Sequence, residues 1–138
     1  MKKVVKFGGS SLASAQQFRK VGDIVRAEED RKYVIPSAPG KRFNGDTKVT
    51  DMLYDCYQSA EDGEDFKGKL KNIKARYDEI ISGLELNLSL DSEFKLIEEN
   101  FKKHAGENYA ASRGEYLNGI IMADYLGYAF IDAAKVIF

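Results

Sequence analysis

The sequence has few of the residues and patterns that define several protein classes. Cys56 is the only cysteine among 138 residues, which excludes an intrachain disulfide framework and a zinc cluster. The formal net charge is −1, so the charge favours neither nucleic acid nor an anionic membrane as a partner. No apolar run is long enough to span a membrane, and the N-terminus lacks the hydrophobic region of a signal peptide. These absences predict a cytoplasmic protein without nucleic-acid or membrane partners.

The composition is that of an ordinary soluble globular chain, with 43% hydrophobic and 31% charged residues. Its length fits one domain with a real core. His104, the single histidine, has no serine, cysteine or metal-ligand partner at a diagnostic spacing. We therefore interpret it as a surface residue that ends the helix containing Phe101. Cys56 is expected to pack as a small apolar side chain within its helix.

The order of the predicted elements indicates an α/β fold. β-prone apolar runs at residues 3–7 and 32–37 are expected to be buried strands, and residues 128–132 and 135–138 are β-prone as well. Helical patterns separate these runs, and such alternation is typical of a mostly parallel sheet. In the first helix Ser14 and Gln17 form a capping-box pattern, followed by an apolar face of Phe18, Val21, Ile24 and Val25.

Residues 62–106 predict a helical hairpin at about 64–104. One amphipathic seam runs through the first helix, at Phe66, Leu70, Ile73, Tyr77, Ile80 and Leu84. The second helix has Asp91 or Ser92 as its expected cap and a seam of Phe94, Ile97 and Phe101. Acidic residues interleave with the basic ones, so we interpret the basic residues as a solvated face: Lys67, Lys69, Lys71, Lys74 and Arg76.

The stretch KFGGSS, residues 6–11, is a candidate phosphate-binding loop between a strand and a helix. Gly8 and Gly9 would let the backbone approach a ligand, backbone N–H groups near a helix N-terminus attract anions, and Lys6 would add a positive charge. The spacing differs from that of a P-loop, so a P-loop NTPase is disfavoured. On the pattern alone, a tight strand-to-helix turn beside an exposed lysine is the favoured interpretation of the same residues.

Two further stretches have both a structural and a functional interpretation. Thr47 and Thr50 could contact a substrate, although Thr50 alone could be the N-cap of a helix from about residue 50 to 60. Ser112 and Glu115 form a second capping-box pattern at the start of a helix that would end at Leu126, with Gly127 as its C-cap. In the functional interpretation, Glu115 pairs with an ammonium group of the ligand, and Arg113 or the helix terminus takes a carboxylate.

Taken in order, three stretches resemble aspartate kinases of the amino acid kinase family. They are VVKFGGSSLAS at residues 4–14, VIPSAPGKR with DTKVTDMLY between residues 34 and 54, and SRGEYLNGIIMADYLGYAFIDA at residues 112–133. The resemblance implies a three-layer α/β/α sandwich. It also implies phosphorylation of L-aspartate by ATP with Mg²⁺ to give 4-phospho-L-aspartate, the first step of lysine, threonine, methionine and diaminopimelate synthesis.

The resemblance also assigns site residues. Lys6 matches the catalytic lysine that stabilises the transferring phosphoryl group, and the loop beside the ATP phosphates matches Gly8, Gly9 and Ser10. In the aspartate site, Thr50 matches a threonine and Glu115 matches the glutamate that binds the substrate amine, with Ser112 and Arg113 beside it.

Aspartate kinases extend well beyond the length of this chain. The resemblance therefore implies that residues 1–138 are the N-terminal, amino-acid-substrate half of the catalytic domain, with the nucleotide half and the ACT regulatory domains absent. The β-prone end at Phe138 also suggests a chain cut from something longer. We expect such a chain to lack meaningful kinase activity alone, and to self-associate through an exposed strand edge around residues 136–138.

Two other functions remain open from the sequence. The chain could be a non-catalytic half-domain that binds aspartate or a partner chain. It could also belong to another amino acid kinase with a different acceptor, such as glutamate or acetylglutamate.

Overall fold

The structure, a computed structural model, describes residues 2–131 except for the side chains at positions 31 and 32. The described elements are the strands β1 (Lys3–Phe7) and β2 (Arg31–Pro36) and the helices α1 (Ala15–Arg26), α2 (Val49–Glu61), α3 (Lys67–Gly83), α4 (Asp91–Lys102) and α5 (Glu107–Leu126). A 3-10 turn, Gly9–Leu12, lies between β1 and α1. The predicted order of strands and helices through residue 126 is confirmed.

The two strands form a parallel pair joined through α1. Phe7 and Val34 pack one face of this sheet against the core. The other face is exposed: Val4 is 63% exposed, and Tyr33 and Ile35 are each 49% exposed. The α/β class and the parallel pairing are therefore confirmed. The expectation of buried strands is wrong within the described residues, because helices cover only one side of the sheet there.

Helix α1 begins where the capping-box pattern places it. Ser14 is the N-cap, and its hydroxyl oxygen accepts a hydrogen bond from the Gln17 backbone N–H at 3.3 Å. The buried face consists of Phe18, Val21, Gly22 and Val25. Ile24 is 47% exposed, so the prediction that it widens the buried face is wrong. Gly22 occupies the other edge of that face, which shifts the buried stripe away from Ile24.

Helices α2 to α5 share one core. Every residue of the two predicted seams in α3 and α4 is buried, so both seams are confirmed. The predicted cap of α4 is wrong, because Asp91 is the first residue of the helix and Leu90 precedes it as the N-cap. The hydroxyl that accepts a bond from the Asp91 N–H belongs to Ser89, at 3.2 Å. None of the described helices is long and apolar enough to cross a membrane.

The end of α5 agrees with the sequence pattern, whereas its start does not. The helix ends at Leu126, and Gly127 follows with a φ of 74°, the left-handed conformation that favours glycine. The start lies at Glu107 rather than near Ser112. Residues 128–131 form no strand, which contradicts the β-prone pattern there. The rest of that segment, the second β-prone run and the strand edge expected at residues 136–138 lie outside the described residues.

The single histidine and the single cysteine lie where the sequence predicts. His104 is exposed just beyond α4, with its Nδ1 2.9 Å from a carboxylate oxygen of Glu61. Cys56 is fully buried in α2, and burial raises the pKa of its thiol to about 12. His104 is thus a surface residue and Cys56 a packed core residue, as the sequence predicts.

Candidate functional site

Residues 37–40, here called the central segment, follow β2 within the second stretch singled out in the sequence, and the first and third stretches both contact them. The first contact joins two glycines: the Gly40 N–H donates to the Gly9 carbonyl oxygen at 2.9 Å. A Cβ atom on Gly40 would lie 2.7 Å from the Gly9 carbonyl carbon. The two backbones therefore pack directly on each other, and a side chain on Gly40 would separate them.

Gly8 differs from Gly9 and Gly40. A Cβ atom built on Gly8 would meet no atom of residues 2–131 within 4 Å, and Gly8 is exposed. Space beside the loop is therefore open at Gly8, whereas Gly9 and Gly40 are confined by each other. A phosphate-sized group could approach the backbone on the Gly8 side.

Helix α5 supplies the second contact with the central segment. A Cβ atom on Gly114 would lie 2.7 Å from the Cβ of Ala38, so only glycine lets the helix come this close. Fully buried Asn118 donates from its side-chain amide to the Ser37 carbonyl oxygen at 2.8 Å. The sequence interpretation missed Asn118, although its position one turn after Gly114 lies on the buried face of α5.

The start of α2 supplies the third contact, through a Val49 N–H that donates to the Pro39 carbonyl oxygen at 3.1 Å. Lys48 is the N-cap of α2 and Val49 its first residue, so the interpretation of Thr50 as the cap is wrong. Thr50 lies within the first helical turn and is half-buried. Its predicted contact with a substrate stays a prediction.

Lys6 and the glycine loop lie at the end of β1. Lys6 is exposed, and its β2 neighbour in the register is Ile35. The 3-10 turn follows the loop, with Ser11 donating its N–H to the Gly8 carbonyl oxygen at 3.2 Å. Helix α1 begins at Ala15, after the Ser14 cap, so the helical segment whose N-terminus borders the glycines is the 3-10 turn Gly9–Leu12. Any phosphate contact from this loop would come from its own backbone and from Lys6.

Ser112, Arg113 and Glu115 lie inside α5, so the second capping-box interpretation is wrong. The Ser112 hydroxyl instead donates to the Tyr109 carbonyl oxygen at 2.7 Å and accepts from the Arg113 guanidinium at 3.1 and 3.2 Å. That guanidinium lies over the rings of Tyr109 and Tyr116, at 4.7 and 4.3 Å from their centres. The rings hold Arg113 in place, while the Glu115 side chain is exposed on the same helix.

Arg76 is the residue whose surroundings differ most from the prediction of a solvated face. It is 4% exposed, and its guanidinium donates to the carbonyl oxygens of Gly40 at 2.7 Å and Thr47 at 2.8 Å. Burial lowers the pKa of this guanidinium. Its spacing from Ile73 and Ile80 is the same helical spacing that marks the seam, and that signal could have identified it as buried.

Asp46 provides the negative charge beside Arg76. Its carboxylate is 3.8 Å from the Arg76 guanidinium and accepts three bonds from Arg42, at 2.8 and 3.1 Å from the side chain and 2.9 Å from the backbone. The bonds from Arg42 hold the pKa of the Asp46 carboxyl well below its usual range. Within residues 2–131, no group of three or more His, Cys, Asp or Glu side chains could hold a metal ion.

Comparison with known proteins gives a consistent relationship. No protein-family model matches the sequence. Aspartokinase 3 of Bacillus subtilis is 38% identical over 142 aligned residues, which cover 97% of this chain and 31% of that protein. A segment of the bifunctional aspartokinase/homoserine dehydrogenase 1 of Arabidopsis thaliana is 31% identical over 90 residues, 61% of this chain and 9% of that protein.

Solved structures agree with the sequence comparison. The Clostridium acetobutylicum aspartate kinase is 50% identical with a TM-score of 0.92, and the match covers 96% of this chain and 31% of that one. E. coli aspartokinase III, solved with aspartate and ADP, has a TM-score of 0.71 at 23% identity, over 92% of this chain and 29% of that one. The chain thus spans about a third of the length of these relatives. By sequence and by fold, it is homologous to the aspartokinases over nearly all of its own length.

Proposed function

We propose that this chain is part of an enzyme that phosphorylates L-aspartate with ATP, giving ADP and 4-phospho-L-aspartate. A carboxylate oxygen of the aspartate side chain forms a bond to the γ-phosphorus, and the bond from that phosphorus to the ADP oxygen breaks. The observation that carries the proposal is the contact of the first and third stretches with the central segment of the second, in a fold that matches an aspartate kinase at 50% identity. The product would enter the synthesis of lysine, threonine, methionine and diaminopimelate.

Lys6, Gly8, Gly9 and Ser10 are proposed to bind the ATP phosphates. The open space at Gly8 supports this role, because a phosphate can reach the backbone there without meeting a side chain. The exposed ammonium of Lys6, at the end of β1, would offset the charge that develops on the transferring phosphoryl group. Mg²⁺ belongs to the proposal as the ion that accompanies ATP.

Thr50, Ser112, Arg113 and Glu115 are proposed to bind aspartate. The exposed Glu115 carboxylate suits the substrate ammonium, and Arg113 suits a substrate carboxylate. The two tyrosine rings support the role of Arg113, since they hold its guanidinium in one orientation before any ligand arrives. Thr50 follows Val49, whose N–H bonds Pro39 of the central segment, and Gly114 of α5 packs against Ala38 of the same segment.

The proposal includes the arrangement of the whole enzyme. This chain would form the N-terminal, amino-acid-substrate half of the catalytic domain, and the full catalytic domain would be a three-layer α/β/α sandwich. The exposed sheet face formed by Val4, Tyr33 and Ile35 supports that arrangement, because an apolar face of this kind suits a second layer of helices. A cytoplasmic location and self-association remain predictions from the sequence.

Titration calorimetry and a hydroxylamine-trapping assay test the function together. We expect no meaningful turnover with aspartate and MgATP, because phosphoryl transfer needs groups positioned on both sides of the γ-phosphate. Aspartate and ATP should nevertheless bind. Lys6→Met should weaken ATP binding, and Lys20→Met, at an exposed lysine of α1, should leave it unchanged. Glu115→Gln should weaken aspartate binding only.

The same measurements separate the other functions. Turnover near that of a complete enzyme would contradict the half-domain assignment. Binding of glutamate or acetylglutamate in place of aspartate would identify a different acceptor. Aspartate binding without turnover fits both a catalytic half-domain and a non-catalytic aspartate-binding module. A reading frame for the nucleotide half directly after Phe138 would decide for the catalytic half-domain.

A further inference from the structure

We propose that Arg76 is a positioning residue that fixes residues 40–48 of the β2–α2 connection, here called the loop, and thereby holds Gly40 against Gly9. The consequence for ligand binding rests on the proposed phosphate-binding role of residues 6–10. The effect on the loop itself does not depend on that role. Arg76 lies on α3, outside the three stretches that resemble aspartate kinases.

The geometry is that of a clamp across the loop. One guanidinium nitrogen donates to the Gly40 carbonyl oxygen at 2.7 Å, where the loop begins, and the other donates to the Thr47 carbonyl oxygen at 2.8 Å, near its end. A planar guanidinium can make two such divergent bonds, whereas the single ammonium of a lysine cannot reproduce their geometry. One side chain therefore fixes both ends of the loop.

The environment of Arg76 also indicates a role in positioning. Its Nε has no hydrogen-bond partner among the described residues, although the side chain is buried. A buried charge with incomplete hydrogen bonding gives little net stability, and an apolar side chain of similar volume often packs as well. Asp46 lies 3.8 Å away, and it is bonded mainly to Arg42. The strongest contacts of Arg76 are thus with the loop backbone.

The clamp reaches the glycine loop through Gly40. The same residue that accepts a bond from Arg76 donates its N–H to Gly9 at 2.9 Å. There is no space between Gly40 and the backbone of Gly9 and Ser10, so a displaced Gly40 would force this backbone to move or would lose its bond. The shape of the proposed phosphate loop therefore depends on a side chain from α3.

Amide hydrogen exchange measured by NMR on the whole chain tests the clamp directly. In Arg76→Lys and Arg76→Met we expect the amides of Gly40 and Val49 to exchange at least about tenfold faster relative to those of Leu117 and Ile121, as expected when a buried bond that holds a segment is lost. Both reporters donate hydrogen bonds within this region, to Gly9 and Pro39, respectively.

The matched control is Lys74→Met. It removes a charge from the same helix, α3, but Lys74 bonds Asp78 and Asp91 rather than any residue of the loop. The control should leave the ratio of exchange rates unchanged. If Arg76→Lys shows the same ratio of exchange rates as the unaltered chain, the proposal is overturned, because a positive charge without the guanidinium geometry would then be enough to hold the loop. Equal acceleration of all four amides would also overturn it, since that result describes a loss of global stability. If Arg76→Met does not fold, Arg76→Lys decides.

Calorimetry with inorganic triphosphate then tests whether the clamp affects ligand binding at residues 6–10. Arg76→Lys should weaken triphosphate binding severalfold, and Lys74→Met should not. If Arg76→Lys accelerates exchange but leaves triphosphate affinity unchanged, the link from the clamp to ligand binding is overturned. If the unaltered chain binds no triphosphate, the proposed role of residues 6–10 fails, and the exchange ratio still decides whether Arg76 holds the loop.

Discussion

The helical body, α2 to α5, and the β1–β2 sheet differ sharply in how they bury apolar side chains. Ile73, Leu117 and Ile121 have no exposed surface, whereas the sheet leaves Val4, Tyr33 and Ile35 on an open face. The helices supply each other with partners, and the sheet receives partners on one side only within the described residues. The candidate site lies at the boundary, where the ends of the strands meet α5 and α2.

Most of the apolar burial therefore lies in one part of this chain and the candidate site in another. The buried seams hold the helices together, and the sheet adds only its inner face, at Phe7 and Val34, to that core. The central segment, by contrast, is held by a few specific bonds from Arg76 and Asn118 and by close glycine contacts. A small number of substitutions should therefore separate the two kinds of effect.

The largest expected effect is in the helical body. Ile73→Ala should lower the free energy of unfolding by about 2–5 kcal/mol, because it removes a fully buried side chain and leaves a cavity. Urea unfolding followed by circular dichroism measures the change. If the free energy of unfolding falls no more than for a substitution at an exposed site, the helical core is loosely packed and the contrast with the sheet is wrong.

The second effect concerns the glycine contact at the boundary. Gly40→Ala should destabilise the chain by roughly 1–3 kcal/mol, because the new methyl group meets the Gly9 backbone at 2.7 Å. Gly8→Ala is the matched control, since Gly8 has a φ of −77° and open space around its Cβ position. Thermal unfolding should show a lower midpoint for Gly40→Ala and little change for Gly8→Ala. Equal midpoints for the two variants would mean that the Gly40 and Gly9 backbones do not pack directly on each other.

The third effect is a pH dependence at Asp46. Its pKa in the folded chain lies below the unfolded value of about 4, so its contribution to stability is complete above that pH and is lost as the pH falls through the folded pKa. Asp46→Asn should therefore lower the urea midpoint at pH 7. The difference in urea midpoint between Asp46→Asn and the unaltered chain should be smaller at pH 3. A difference that is constant across this range would exclude the carboxylate charge as the cause.

The smallest effect is expected on the open face of the sheet. Val4→Thr retains a β-branched side chain at a position that is 63% exposed, and it should change the free energy of unfolding by less than about 0.5 kcal/mol. Urea unfolding, carried out in parallel with Ile73→Ala, measures this change in free energy. A cost above 1 kcal/mol or so would show that Val4 is covered in solution, for example by a second copy of the chain.

Much of the fold follows from local sequence patterns. The seams of α3 and α4, the Ser14 cap and the Gly127 C-cap depend on residues a few positions apart, and all four are confirmed. The start of α5 could not be predicted in this way. Its N-cap is Gly106, with a φ of 110° and no side-chain bond, so the first turn lacks the polar cap that marks a helix start in a sequence.

The site was less predictable than the fold because its parts contact each other over long separations. The stretches that meet at the central segment could be identified one by one, but periodicity contains no information on their contact. Arg76 was assigned to solvent on the basis of its charge, although its helical spacing places it on the seam. Asn118 is a polar residue on a buried face, and only the position of the Ser37 carbonyl explains it.

The long separations have a consequence for how the chain acquires its site during synthesis. The bond from Arg76 to Gly40 joins residues 36 positions apart, and that from Asn118 to Ser37 joins residues 81 positions apart. A ribosome therefore releases the strands and the glycine loop long before it releases the helices that hold the central segment in place. Contacts of such high sequence separation form late, since the intervening chain must first be ordered. We expect ligand-binding competence to appear only after α5 has left the exit tunnel.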